Sequence, residues 1–188
     1  MGHEPGNTFS QFINRFAGLL QGVGARSGSN SNLYYSFDVD LVHWVAIDTE
    51  VYNYSTPAAQ QAQLAWLKAD LVKANANRAS VPWIIGFGHK GWYMVDTKFA
   101  DFDPILQQFG VDLYFAGHVH NYERFFPLLG GSDPPTDVDT ACASSDNTVY
   151  TNPKYMTTII VGSPGCKEDI SPGCGVTGTG APVVCSDT

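Results

Sequence analysis

No cysteine precedes Cys142, and no Cys-x-x-Cys pair occurs anywhere in the chain, so a zinc knuckle is excluded. No apolar run approaches the ~18 residues that a membrane-crossing helix needs. The opening stretch "MGHEPGNTFS" has neither a basic n-region nor an apolar h-region, which predicts no signal peptide on this chain. Basic residues are also scarce: ten Lys and Arg stand against 18 Asp and Glu, a formal charge of −8. That balance argues against nucleic acid and anionic membranes as partners, because both favour basic surfaces. An anionic substrate would need a local positive charge, and a bound metal ion is the usual source.

What is present points to a packed globule. Apolar residues make up 44% and aromatics 13% of 188 residues, enough for a real core. The four cysteines, Cys142, Cys166, Cys174 and Cys185, lie near the end of the chain. An even count in a Gly/Pro/Ser/Thr-rich region predicts two disulfides and an oxidising compartment, with three possible connectivities. Asn53-Tyr54-Ser55 is an N-glycosylation sequon, which agrees with a secreted origin.

Phe9, Phe12, Ile13, Phe16, Leu19 and Leu20 recur at helical spacing, predicting a helix over 9–20 with Thr8 as its cap. Residues 22–32 read as a loop, and 33–48 as a hairpin turning at Asp38 to Asp40. Thr56-Pro57 opens a helix whose stripe includes Leu64, Leu67, Leu71 and Trp66. A short apolar strand over 81–89 ends at His89. The next helix takes Asp103 as cap, Pro104 in its first turn and Gly110 as its stop. Strands from Val111 and over 155–165 follow, separated by a polar, Pro-rich insertion over 130–153. Alternating strands and helices with continuously apolar strands predict an α/β layer on a mostly parallel sheet.

Two of those strands end in Gly then His, at Gly88-His89 and Gly117-His118. Ligands collect at the carboxyl ends of strands in open α/β sheets, so His89, His118 and His120 should meet at one rim. In an extended segment residues two apart point the same way, which would turn His118 and His120 together towards an ion. Imidazole is a common ligand of divalent ions, and an adjoining glycine allows close backbone approach. His43, inside the hairpin, reads as a satisfied sheet residue.

The stretch "GHVHNYER" (117–124), with "IIGFGHKGWY" (84–93), "YYSFDVDLVHWVAIDTE" (34–50), "QLAWLKADL" (63–71) and "YMTTIIVGSPGCKED" (155–169), resembles the C-terminal half of a purple acid phosphatase in the metallophosphoesterase superfamily. The resemblance implies half of an α/β/β/α sandwich, with a mixed, mostly parallel sheet and flanking helices. It divides the chain into 1–169, the C-terminal part of the catalytic domain, and 170–188, a Cys/Gly/Pro-rich tail. It also implies a dinuclear centre of Fe with Zn, Mn or Fe, with His89 and His118 on the divalent metal and His120 on the ferric ion. The family's aspartate, tyrosine and asparagine ligands belong to an N-terminal half whose motifs are not found here. "MGHEP" resembles the end of that half's Gly-Asn-His-Glu motif without its Asn, which would make His3 the histidine that helps protonate the leaving group. Glu123 and Arg124 are expected to form a structural ion pair.

The expected activity is acid phosphatase chemistry on a phosphomonoester, by two-metal hydrolysis. The alternatives are a truncated, non-catalytic metal-binding remnant and a metallophosphodiesterase. A single layer would leave one apolar sheet face open, predicting self-association or a missing N-terminal half to cover it.

Overall fold

The computed structural model describes residues 9–91, 101–130, 135–162 and the strand Val183–Val184. The N-terminal helix is broken into α1 (Ser10–Arg15), α2 (Ala17–Leu19), a π-helical turn over Leu20–Gly24 and α3 (Ala25–Ser27). It therefore runs further than the expected 9–20 and uses part of the expected loop. Among the described residues no side chain caps α1, whose N-cap is Phe9 in the left-handed region; the expected cap, Thr8, lies outside them. Its apolar stripe also stays open: Phe12 and Phe16 are 41% and 42% exposed, and neither α1 nor α2 has a buried residue. Helical spacing sets the helix but does not supply a surface to pack against.

Strands β1 (Tyr35–Val39) and β2 (Val42–Ile47) form the expected antiparallel hairpin, turning through Asp40 at φ 52°. A short helix α4 (Val51–Tyr54) leads to α5 (Pro57–Ala76). Thr56 caps α5 by accepting from the Ala59 N–H at 3.3 Å, and Pro57 sits in the first turn, where its missing N–H costs nothing. Then come β3 (Trp83–Gly88), α6 (Phe102–Gln108), β4 (Leu113–Ala116), β5 (Tyr122–Phe125), β6 (Leu128–Leu129), β7 (Asp137–Val138), β8 (Thr157–Val161) and β9 (Val183–Val184). Asp103 does not cap α6; it lies buried in the first turn, accepting from Gln107 Nε2 and the Gly130 N–H, each at 3.2 Å. Gly110 does stop the helix, at φ 62°.

The main sheet has the order β1-β2-β3-β4-β8-β5-β9. Strands β2, β3, β4 and β8 are parallel; β1, β5 and β9 add antiparallel edges. The expected α/β sheet is therefore present. The insertion over 130–153 is not wholly irregular, since β7 pairs with β6 and Ala143 bridges Tyr150.

One face of this sheet is covered by α5 and α6. Val45, Ile47, Ile84, Tyr114, Ala116, Ile160 and Phe125 pack there with Leu67, Leu71, Phe102, Ile105 and Leu106. Leu71 is fully buried, so Leu71→Ala is expected to cost roughly 2–5 kcal/mol of stability, read from urea unfolding. The opposite face carries the intervening residues of each strand, among them Phe37, Trp44, Trp83, Ile85, Phe87, Phe115 and Ile159. It too is apolar, yet Trp83 is 52% and Val39 55% exposed.

Candidate metal centre

Strands β3 and β4 lie side by side, with Gly88 opposite Ala116, so their exits emerge together. The Gly117 N–H donates to the His89 carbonyl at 3.0 Å, tying one exit to the other. Beyond it, His89 Nε2 and His118 Nδ1 are 3.1 Å apart, and the two rings cross at 77°. One ring nitrogen donates and the other accepts.

The backbone after His118 does not run extended. The Val119 N–H donates back to the Gly117 carbonyl at 2.8 Å, with His118 between them at φ 67°. This is a γ-turn of the rare, strained hand. A second three-residue turn follows, from the Asn121 N–H to the Val119 carbonyl at 2.9 Å. The extended path expected through His118 and His120 is therefore corrected: the chain bends at each of them. Among the described residues, no set of three or more His, Cys, Asp or Glu side chains is arranged to hold a metal ion. His118 is instead paired with His89. His120 remains near enough for its charge to act on both rings.

Electrostatics favour the neutral form of both rings. Burial lowers the pKa of His89, helped by Lys90 and His120 and opposed by Glu50. Burial also lowers that of His118, with His89, Lys90 and His120 adding to it against Glu50. Both rings therefore stay neutral to lower pH than ordinary histidine, the form that coordinates metal. The geometry fits as well. Bonds of about 2.0–2.1 Å meeting at tetrahedral to octahedral angles separate two ligand nitrogens by roughly 2.9–3.4 Å. The observed 3.1 Å lies within that range.

The rim holds further polar groups that motif spacing did not single out. Buried Gln63 clamps the exit of β2, its Oε1 accepting from the Asp48 N–H at 2.8 Å and its Nε2 donating to the Asp48 carbonyl at 2.9 Å. Burial, with the charge of Glu50, lifts the Asp48 carboxyl to about 6 against its bonds from the Glu50 and Val51 N–H groups. Lys90 is buried, its Nζ 3.0 Å from both carboxylate oxygens of Glu50. Acidic residues just past a strand exit, three positions and one position before a helix, are the sequence signal for Asp48 and Glu50.

Other expected site residues lie elsewhere. His3 falls outside the described residues. Asn53 is exposed on α4. His43 faces α5 at the opposite rim of β2 and is satisfied on both nitrogens, beside a cavity of about 480 Å³ lined also by Arg26, Asp38, Asp70 and Lys73. Glu123 and Arg124 do not pair. Consecutive strand residues point to opposite faces; Glu123 is buried and accepts from Asn121 Nδ2 at 2.6 Å, while the Arg124 guanidinium bonds the Asn147 and Thr148 carbonyls and stacks on Tyr150. The Cys142 thiol donates to the Asp139 carbonyl at 3.2 Å, and Cys142 forms no disulfide among the described residues. The other three cysteines lie outside the described residues.

Against known proteins, residues 3–122 match the model of the calcineurin-like phosphoesterase family. Acid phosphatase type 7 of Homo sapiens is 32% identical over 191 residues, covering 90% of this chain and 40% of the relative. Purple acid phosphatase 23 of Arabidopsis thaliana is 41% identical over 127 residues, covering 63% of this chain and 26% of the relative. The solved structure of a purple acid phosphatase from yellow lupin (Lupinus luteus) seeds superposes with a TM-score of 0.54 at 19% identity, covering 78% of this chain and 26% of that one. The chain thus spans less than half the length of each.

Proposed function

The chain belongs to the calcineurin-like phosphoesterase family, and on that premise we propose that it supplies the histidine side of a two-metal phosphomonoesterase centre. The observation that carries this reading is the 3.1 Å approach of His89 Nε2 to His118 Nδ1 at the carboxyl rim of a parallel sheet. Divalent ions, when bound, neutralise phosphoryl charge and make a hydroxide nucleophile available near neutral pH. Zn, Mn or Fe suits imidazole nitrogen on the divalent side, with Fe as the second ion.

The chain's own residues contribute positioning and charge. His89 and His118 present neutral nitrogens to one ion, held by parallel strands that cannot slide without breaking their ladder. His120 extends the imidazole set towards the second ion. The apolar sheet face opposite α5 and α6 supports a second layer as the source of the remaining ligands. For the chain by itself, the lack of a third converging donor among the described residues favours a second reading, metal binding without turnover. The sequon at Asn53 is exposed on α4, which supports a secreted glycoprotein; a glycosidase-sensitive mass shift after expression in a secretory host tests it.

Titration of the purified chain with Zn²⁺ tests the main reading. One site per chain is expected, weakened at least about tenfold by His89→Ala or His118→Ala. Because both pKa values are lowered, affinity is expected to persist as pH falls past the ordinary histidine value of 6.5 and to drop only below it. Zinc binding that both alanine variants retain would overturn the assignment. Hydrolysis of a chromogenic phosphomonoester, lost in His118→Ala, would reject the non-catalytic reading.

A further inference from the structure

The two histidines stand at the exits of different strands, and one side chain connects those strands just below them. Tyr114 lies on β4, opposite Gly86 of β3, and is fully buried. Its ring runs along β3 over two positions that carry no side chain. A Cβ on Gly86 would lie 2.9 Å from Tyr114 Cδ2, and one on Gly88 only 2.4 Å from the Tyr114 hydroxyl. The hydroxyl then donates to the Lys90 carbonyl at 3.1 Å, immediately after His89. The same residue is held from its other side, where the Lys90 N–H donates to Thr49 Oγ1 at 3.1 Å and Lys90 Nζ meets Glu50. The phenol thus spans from the strand that delivers His118 to the backbone that follows His89.

The geometry points to Tyr114 as a positioning residue for the histidine pair, fixing His89 against His118 through the Lys90 backbone. This rests on the metal reading above. The chemistry is that of an outer hydrogen bond that orients a ligand without touching the ion. Burial holds the phenol protonated by pushing its pKa well above the ordinary tyrosine value, so it remains a donor at all working pH. A ring is required to reach across β3, and a hydroxyl is required to grip its exit.

Tyr114→Phe keeps the ring over Gly86 and removes the grip on the Lys90 carbonyl. In the full chain without metal, the nuclear Overhauser effect between the His89 and His118 rings is expected to weaken. Zn²⁺ affinity by calorimetry is expected to fall about tenfold. The melting midpoint is expected to move by no more than a few degrees. Thr49→Val, which releases Lys90 from its other side, is expected to reproduce that pattern and serves should Tyr114→Phe fail to fold. Unchanged ring contact and unchanged Zn²⁺ affinity in Tyr114→Phe would overturn the role of Tyr114 while leaving the metal reading intact. A parent chain that binds no Zn²⁺ would overturn the metal reading, and with it the role of Tyr114 in holding a ligand pair. A midpoint loss above about 10 °C accompanying the lost affinity in both variants would mark general loosening and also overturn it.

Discussion

Replacing Gly162 by alanine is expected to weaken zinc binding at the histidine pair about 100-fold. Gly162 follows β8, and its N–H donates to the Asn121 carbonyl at 3.0 Å. A Cβ there would lie 1.8 Å from the Val119 oxygen and 2.7 Å from the Val119 carbonyl carbon. Those are backbone atoms of the turn that carries His118 and His120, so no side chain can move aside to relieve the clash. The turn must shift, and it is already strained at His118. A displacement of that size should cost roughly 100-fold in Zn²⁺ affinity, the upper end for disturbed ligand support. Relief of the overlap should cost about 2 kcal/mol of stability, or roughly 4–8 °C in Tm. Calorimetric titration of G162A beside the parent chain checks this. Parent-like affinity would mean that the turn does not depend on that close approach.

His43→Leu should remove a stabilisation that fades as pH rises. His43 Nδ1 lies 2.6 Å from Asp38 Oδ1 and its Nε2 lies 3.0 Å from Asp70 Oδ2, while Ser36 Oγ donates to Asp70 Oδ1 at 2.7 Å. Arg26 and Lys73 line the adjoining cavity and are the cations facing this cluster. Two carboxylates on the two ring nitrogens can both be satisfied only by the imidazolium. Burial pulls the His43 pKa down, but the bonds and charges of Asp70 and Asp38 outweigh it and hold the value above 6.5. A folded pKa above the unfolded one means that the stabilisation is complete below about 6.5 and fades as pH rises through the raised folded value. Asp70 is buried, so losing its charged partner should cost about 3 kcal/mol at acid pH, roughly 6–12 °C in Tm. The gap between H43L and the parent chain should narrow as the buffer is made alkaline. A gap that stays constant across that range would sink the imidazolium clasp.

Local rules reached a good part of this molecule. Thr56-Pro57 marks the start of α5 because capping and the missing proline N–H act within one turn. Gly88-His89 and Gly117-His118 mark strand exits, and parallel pairing of β3 with β4 brings two of the three histidines together. Other features depend on partners distant in sequence. The stripe of Phe12 and Phe16 has helical spacing but no covering surface among the described residues. Alternation on β5 separates Glu123 from Arg124, and Asn121 and Tyr150 then claim one each.

The residue types and their spacing determined, without coordinates, that the chain forms an α/β sheet whose strand exits present histidines, because periodicity and turn chemistry act over a few residues. Tertiary structure alone decided that His118 sits in a strained turn against Gly162, that Tyr114 reaches Lys90, and that Asp70 lies against His43. Each of these is a contact between segments far apart in the chain. Its distance is fixed by sheet register and packing rather than by any local preference.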